Sequence, residues 1–167
     1  MKTLIILRHA DALEKTSGMS DFERPLSDEG CSQASRQGQF LRQAGICIDR
    51  VVASSALRAR TTAETVVDAS GAGVDIETSD ELYNAPGETL LEYVRCLPDE
   101  LTRLLMVAHL PGVAQLLSLL TTEHVDLDHI FSPATLAAVQ LDGDSWHEFD
   151  YGVGALTLFL PPVLSPA

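Results

Sequence analysis

Two short runs of aliphatic residues in this chain each end at a histidine. Residues 4–7 lead into Arg8 and His9, and residues 104–108 lead into His109. Runs of this length and composition are typical of strands that are buried on both faces of a parallel sheet. Ligands of open α/β folds bind at the carboxyl ends of such strands. We therefore expect both histidines to lie in one crevice at the edge of a central sheet.

The rest of the chain alternates between strand and helix patterns. Ser27 is a good helix N-cap, and the small residues Ala34 and Gly38 share one predicted helix face, which suggests close packing on the sheet. The alternation predicts an α/β fold, a three-layer sandwich with a central, largely parallel sheet flanked by helices. We expect one domain over residues 1–167, with a loose tail at residues 161–167. The further predicted strands cover residues 50–53, 74–78, 134–141 and 155–160. The last two lie on either side of a turn at Gly143 and Asp144. The predicted helices cover residues 27–45, 56–69 and 87–97 and a segment that begins at Pro111.

The charge balance limits the classes of partner. The 167 residues include 24 acidic and 11 basic side chains, which gives a formal net charge of −13. Nucleic acids and anionic membrane surfaces both require a basic footprint, so neither is expected as a partner. Cys31, Cys47 and Cys96 are odd in number and lack metal-ligand spacing, which favours reduced thiols in a cytoplasmic protein. No run approaches the ~20 apolar residues of a membrane span, and the first aliphatic run is too short for a signal peptide.

Arginines accompany the predicted crevice. The strand at residues 50–53 precedes a helix that carries Arg58 in its first turn, and Arg24 lies in the loop after the first strand. Phosphate fits such a site, because guanidinium groups bind its oxygens bidentately and a helix N-terminus favours an anion. One imidazole can attack phosphorus while the other binds the oxygens that carry the transition-state charge, so neither a metal ion nor a cofactor is required. The segment Asp126-Leu127-Asp128-His129 is interpreted as a solvated loop and not as a metal site.

Four segments of the chain together resemble the histidine phosphatase superfamily, whose fold is called phosphoglycerate mutase-like. They are residues 6–12, 24–30, 54–62 and 107–111, which follow the family's order over about two-thirds of the chain. Leu7-Arg8-His9-Ala10 resembles the family's Arg-His-Gly signature, and the chain is similar more narrowly to the small SixA-type phosphohistidine phosphatases. The resemblance implies that His9 is the phosphorylated nucleophile. It also implies a phosphate pocket formed by Arg8, Arg58 and His109, with a further phosphate contact from Arg24, although Arg24 has an alternative role as an ion-pair partner of Asp21 or Glu23.

Two departures from the family pattern bear on the chemistry. Ala10 replaces the signature glycine, so the backbone there must have a conformation that an L-residue tolerates, and we expect activity to survive. Leu110 stands where the acid-phosphatase branch has an aspartate. Glu81, in a region comparable to that of the mutase branch's glutamate, is then the candidate general acid; its alternative is an exposed residue of an acidic turn. A site without a strong acid suits a leaving group that departs readily, such as the imidazole of phosphohistidine.

The sequence therefore predicts a metal-independent phosphatase that works through a phosphohistidine intermediate and dephosphorylates phosphohistidine on a signalling phosphotransfer protein. One alternative is a phosphatase or mutase of the same fold that acts on small phosphate esters. Another is a phosphate-binding module without turnover, which the presence of a complete nucleophile and arginine set disfavours. The predicted partner is thus a phosphorylated protein or a small phosphate ester.

Overall fold

A computed structural model describes residues 1–122 and 130–162 of the chain. The segment interpreted above as a solvated loop, residues 126–129, and residues 163–167 of the predicted tail lie outside the described residues. The strands are β1 (Lys2–Arg8), β2 (Arg50–Ser54), β3 (Ile76–Ser79), β4 (Arg103–Ala108), β5 (Leu136–Leu141) and β6 (Ala155–Leu160). The helices are α1 (Asp28–Gln43), α2 (Leu57–Ser70), α3 (Gly87–Arg95) and α4 (Gly112–Leu120).

The strands form one six-stranded sheet in the order β3-β2-β4-β1-β5-β6. The first four strands in this order are mutually parallel, whereas β5 and β6 are antiparallel additions beside β1. One sheet thus extends from Lys2 to Leu160, and we infer that the described chain is a single domain.

Helices cover both faces of the sheet. In β1, Leu4 and Ile6 pack in the core on the α3 and α4 side. Ile5 and Leu7 pack in the core on the α1 and α2 side. Because neighbouring residues of a strand point to opposite faces, burial on both sides requires the uninterrupted aliphatic run seen in the sequence. The predicted three-layer α/β sandwich is confirmed.

Strand register brings the two histidines together. β1 and β4 are parallel neighbours in which Arg8 lies opposite Ala108, so the residue that follows each strand is a histidine at the same level. The backbone N–H of His9 donates to the carbonyl of Ala108 over 3.0 Å, which continues the ladder to this point. The carboxyl edge of the sheet therefore carries His9 and His109 side by side.

Helix α1 begins as predicted but packs differently. The Ser27 side chain caps it by accepting from the backbone N–H of Gly30. The small residue Gly38 was expected to allow close packing on the sheet. It faces α2 instead, because a Cβ there would lie 2.5 Å from the carbonyl oxygen of Val66 and 2.7 Å from the Cβ of Ala69. A glycine at this position thus permits two helices, and not a helix and a strand, to approach closely.

The connection between β5 and β6 is longer than a turn. The sequence suggested a turn at Gly143 and Asp144, but the chain also forms a 3-10 turn at Trp146–Glu148 before it returns. Trp146 is fully buried, stacks on Phe149 at a ring separation of 5.3 Å, and donates from Nε1 to the carbonyl of Leu101 over 2.9 Å. The connection therefore closes one end of the α3 and α4 layer.

The three cysteines are free and exposed. Among residues 1–122 and 130–162, no helix is both long and apolar enough to cross a membrane.

Candidate active site

His9 directly follows β1 and has a defined orientation. Its Nδ1 lies 2.8 Å from the carbonyl oxygen of Ala10, which can only accept, so Nδ1 carries a proton and donates it. Burial, together with the charges of Arg58 and Arg8, lowers the pKa of His9 to about 4, although the bond to Ala10 acts in the raising direction. The ring is therefore neutral near pH 7, with its lone pair on Nε2. That nitrogen accepts a hydrogen bond from Nε of Arg58 over 3.3 Å.

His109 directly follows β4, and its ring centroid lies 5.1 Å from that of His9. Its Nε2 is 2.7 Å from the hydroxyl oxygen of Ser54, at the end of β2. Its Nδ1 is buried and has no hydrogen-bond partner among the described residues. Burial lowers the pKa of His109 to about 3, and repulsion from His9 when that ring is protonated and from the charge of Arg58 acts in the same direction, so this ring is also neutral near pH 7.

Arg58 lies in the first turn of α2, and its side chain is only 4% exposed. Besides the contact with His9, its Nη1 donates to the backbone carbonyl of Asp21 over 2.6 Å, and its Nη2 donates to the carboxylate of Asp21 over 3.0 Å. Helix α2 thus places a buried cation against the Nε2 edge of His9.

Arg8 is the last residue of β1. Its Nη1 donates to the carbonyl of Phe131 over 2.8 Å, while its Nε is buried and lacks a partner within the described part of the chain. Burial lowers the pKa of Arg8, and the charge of Asp11 opposes that shift. The guanidinium stays charged at any working pH.

Arg24 joins the cluster through Asp21. Its Nε donates to the carbonyl of Leu13 over 2.8 Å, and its Nη1 donates to Oδ1 of Asp21 over 3.1 Å. The ion pair with Asp21, weighed above as an alternative to a role in the site, is present. The same carboxylate binds Arg58, so the pair holds Arg24 beside Arg58.

Asp21 and Tyr83 are site residues that the sequence analysis did not identify as such. The Tyr83 hydroxyl donates to Oδ2 of Asp21 over 2.8 Å. Partial burial raises the pKa of Asp21, but hydrogen bonds from Tyr83 and Arg24 and the charge of Arg58 outweigh it and lower the pKa to about 2. The only sequence signal for Asp21 was its position three residues before Arg24. No feature of the sequence marked Tyr83 as a site residue, because a tyrosine next to an acidic turn is common.

Aromatic rings connect the histidines to the protein surface. The centroids of His109 and Tyr83 lie 5.5 Å apart, and those of Tyr83 and Phe22 lie 5.2 Å apart. Phe22 is 37% exposed. We call His9, His109, Tyr83 and Phe22 the aromatic row.

The backbone at Ala10 explains why alanine is tolerated in place of glycine. Among the non-glycine residues that the structure describes, only Asn84 and Ala134 have positive φ angles, so Ala10 lies outside the left-handed region. Its N–H donates to Oγ1 of Thr62 over 3.0 Å, and the Thr62 hydroxyl donates to the carbonyl of Arg58 over 2.6 Å. Thr62 therefore ties the loop after β1 to the turn of α2 that carries Arg58.

Glu81, the predicted general acid, lies elsewhere. Its side chain is exposed and lines a separate cleft between β3 and α3, with Arg50, Glu77 and Tyr93. The structure thus brings together Arg8, His9, Arg24, Arg58 and His109, but not Glu81, and the assignment of an acid role to Glu81 has no support from this geometry.

Comparisons with known proteins identify the family of the chain. The family model of the histidine phosphatase superfamily (branch 1) matches residues 4–86. The phosphohistidine phosphatase SixA of Escherichia coli strain K12 is 29% identical over 157 residues, which cover 93% of this chain and 95% of that protein. An uncharacterised protein of Mycobacterium tuberculosis strain H37Rv is 30% identical over 164 residues, which cover 93% of this chain and 99% of that protein.

A solved structure of the protein histidine phosphatase SixA complexed with tungstate superposes with a TM-score of 0.81 at 27% identity, over 96% of this chain and 97% of that one. The same fold, a similar sequence over most of the chain, and two neutral histidines beside the buried Arg58 lead to one conclusion. The chain belongs to the histidine phosphatase superfamily and is a phosphatase of the SixA-like kind.

Proposed function

We propose that this phosphatase removes the phosphoryl group from phosphohistidine on a signalling phosphotransfer protein, and that His9 is the transiently phosphorylated nucleophile. The observation that carries the proposal is the state of His9. Its ring is neutral, its proton is held on Nδ1 by Ala10, and its Nε2 lone pair faces a buried guanidinium. An uncharged imidazole with a directed lone pair is the form that can attack phosphorus.

Two buried donors support a phosphate pocket around His9. Nε of Arg8 and Nδ1 of His109 are both buried and have no partner among the described residues. Such donors are costly unless an acceptor satisfies them, and phosphoryl oxygens are strong acceptors. With Arg58 and Arg24 they would hold the three oxygens of a transferring phosphoryl group and stabilise its charge. Four side chains therefore have proposed binding roles: Arg8, Arg24, Arg58 and His109.

The reaction takes place in two steps. Nε2 of His9 forms a bond to phosphorus as the phosphorus–nitrogen bond of the substrate breaks, and the substrate ring, protonated on its other nitrogen, departs as neutral imidazole. A water molecule then attacks phospho-His9, which releases inorganic phosphate and restores the imidazole. Arginine charge supplies the electrostatic stabilisation, so we propose that neither step requires a metal ion or cofactor.

The protonation state of the site favours phosphohistidine over alkyl esters. Asp21 is the carboxyl group bonded to the arginine cluster, and with a pKa of about 2 it is ionised and cannot donate a proton. An alkoxide needs a general acid to leave, whereas imidazole has an unperturbed pKa of ~6.5 and leaves readily. The similarity to phosphohistidine phosphatase SixA of Escherichia coli supports the same substrate class.

The surroundings of the site suit a side chain displayed by another protein. The aromatic row extends from the buried His109 to the half-exposed Phe22, and offsets of 5 to 6 Å are typical of stacked or edge-on rings. A planar phosphoimidazole could pack along it. Three free cysteines suit a reducing compartment, and we therefore place the reaction in the cytoplasm.

The test uses a phosphotransfer domain phosphorylated on histidine, followed by intact-protein mass without acid. We expect wild type and a His147→Ala control, which removes an exposed histidine, to dephosphorylate the domain and to show a transient phosphoryl adduct. His9→Ala should do neither. Wild-type turnover by His9→Ala would show that His9 is not the nucleophile. If the domain keeps its phosphate while small phosphate esters are hydrolysed, the alternative substrate class replaces the protein substrate.

A further inference from the structure

We propose that Ser54 is a positioning residue that fixes the tautomer of His109, so that the proton lies on Nδ1 and is available to a phosphoryl oxygen. The inference rests on the proposed function for the role of His109 in phosphate binding. Its first part, the location of the proton, concerns the free protein and can be measured without any substrate.

Ser54 reaches His109 through the geometry of the sheet. It is the last residue of β2, it is fully buried, and β2 is the parallel neighbour of β4. The register pairs Ala53 with Val107, so Ser54 ends its strand one position before the level of His109. Its hydroxyl oxygen lies 2.7 Å from Nε2, which is a hydrogen bond of good length between two buried groups.

The direction of this hydrogen bond follows from a second contact. The Ser54 hydroxyl oxygen also accepts the backbone N–H of Ala56 over 3.3 Å. That N–H uses one of the two lone pairs of the oxygen, and the hydrogen of the buried hydroxyl still needs an acceptor. Among the described residues, Nε2 of His109 is the acceptor that this hydroxyl contacts, so we infer that Ser54 donates and Nε2 accepts.

A neutral imidazole with an acceptor at Nε2 carries its proton on Nδ1. Burial favours this uncharged ring over the imidazolium. Nδ1 is the buried atom for which the described residues supply no partner. The unpaired atom is therefore a donor, which an incoming anion can satisfy.

The opposite tautomer would have the opposite effect. With the proton on Nε2, His109 would present a lone pair to the phosphoryl oxygens and repel them. Ser54 thus determines whether the second histidine attracts or repels the transferring group, although Ser54 itself does not need to touch it. Loss of one donor to a developing oxyanion costs ~10²–10³ in kcat in other enzymes, and a mixed tautomer should cost less, so we expect Ser54→Ala to lower kcat about tenfold.

The deciding measurement is a long-range ¹H–¹⁵N correlation spectrum of the histidine rings at pH 7. The resonances of His109 are identified by their loss in His109→Gln. We expect wild type to show His109 protonated on Nδ1 and Ser54→Ala to show a mixture of tautomers. A wild-type His109 protonated on Nε2 overturns the proposal, even if Ser54→Ala fails to fold.

Turnover of an aryl phosphate provides the second readout, with Ser55→Ala as the matched control. Ser55 is the adjacent residue, and its hydroxyl donates to the carboxylate of Asp80 and not to a histidine. We expect Ser55→Ala to retain both the wild-type spectrum and wild-type kcat. Unchanged kcat and spectrum in Ser54→Ala would overturn the positioning role. Failure to act on phosphohistidine would leave the ring spectrum unchanged, so the two hypotheses fail separately.

Discussion

The carboxylate of Asp21 accepts a hydrogen bond of 3.0 Å from the guanidinium of Arg58. The same carboxylate accepts from Arg24 over 3.1 Å and from the Tyr83 hydroxyl over 2.8 Å. One acidic side chain therefore orients two of the arginines proposed to bind phosphate, and it offsets part of the positive charge that they concentrate around His9.

Asp21→Asn should lower kcat/KM about tenfold. The amide preserves the shape of the side chain but loses the charge, and a hydrogen bond to a charged group contributes about 1.5 kcal/mol or more. Steady-state kinetics on an aryl phosphate measures the effect. Glu23→Gln is the control, since Glu23 lies in the same 3-10 turn and bonds to Ser20 on the exposed side. Equal kinetics in the two variants would show that Asp21 does not orient the arginines.

The partly buried His9 and the buried His109 should make the fold sensitive to mild acid. Their pKa values are lowered to about 4 for His9 and about 3 for His109, against an unfolded value near 6.5. Between about pH 6.5 and pH 4 the unfolded chain binds more protons, so stability falls as the pH falls through this window.

Urea unfolding at pH 7, 6 and 5 measures this dependence. Each histidine contributes a slope of up to about 1.4 kcal/mol per pH unit. We expect His109→Asn to reduce the slope and His147→Asn, at an exposed histidine, to leave it unchanged. A free energy of unfolding that stays constant from pH 7 to pH 5 would contradict the neutral state of both rings.

Ala10→Gly should change stability more than activity. Ala10 is fully buried and its φ angle is outside the left-handed region, so glycine gains no needed conformation there. Glycine costs about 0.5–1 kcal/mol in backbone entropy, which corresponds to a fall in Tm of about 1–4 °C for a chain of this size. Turnover should stay within about twofold, because the carbonyl that orients His9 is unchanged. A large gain in kcat would show that alanine impairs the site.

Thr62→Val should lower the stability of the protein, because the Thr62 hydroxyl supports the backbone of the site at Ala10. Valine keeps the shape but leaves the buried N–H of Ala10 without its acceptor, which costs about 1–3 kcal/mol. Thr65→Val is the matched control, because the Thr65 hydroxyl donates to the carbonyl of Thr61 one helical turn earlier and not to the loop after β1. Thermal unfolding of both variants provides the comparison. Equal melting temperatures would exclude a structural role for the Thr62 hydroxyl.

Glu81→Gln should leave the kinetics of phosphate ester hydrolysis within about twofold of wild type. The exposed Glu81 side chain lines the cleft of Arg50 and Tyr93, between β3 and α3. The measurement is the basic limb of the pH profile of kcat, which reports a general acid. Loss of that limb in Glu81→Gln would restore the acid role that the sequence suggested.

The sheet and the paired histidines were predictable because a strand that is buried on both faces needs an uninterrupted run of apolar residues, which is visible in the sequence. Residues 4–7 and 104–108 had to be aliphatic, and the polar residue that ended each run marked the edge of the sheet. The contacts of Asp21, Tyr83 and Ser54 were not predictable in this way. They depend on how loops and strand ends from distant parts of the chain meet, and a single polar residue carries no periodic signal of that meeting. Gly38 illustrates the same limit, since its small size indicated close approach but not the partner.

The hydrogen bond from Nδ1 of His9 is accepted by the backbone carbonyl of Ala10 and does not involve the Ala10 side chain. Every amino acid supplies a backbone carbonyl, so the orientation of the His9 ring does not depend on the side chain at position 10. The side chain at position 10 has to be small, because the core encloses its Cβ. The backbone of residue 10 therefore orients His9, whereas its side chain only has to fit the core. A substitution that fits the core would change the side chain without changing the orientation of His9.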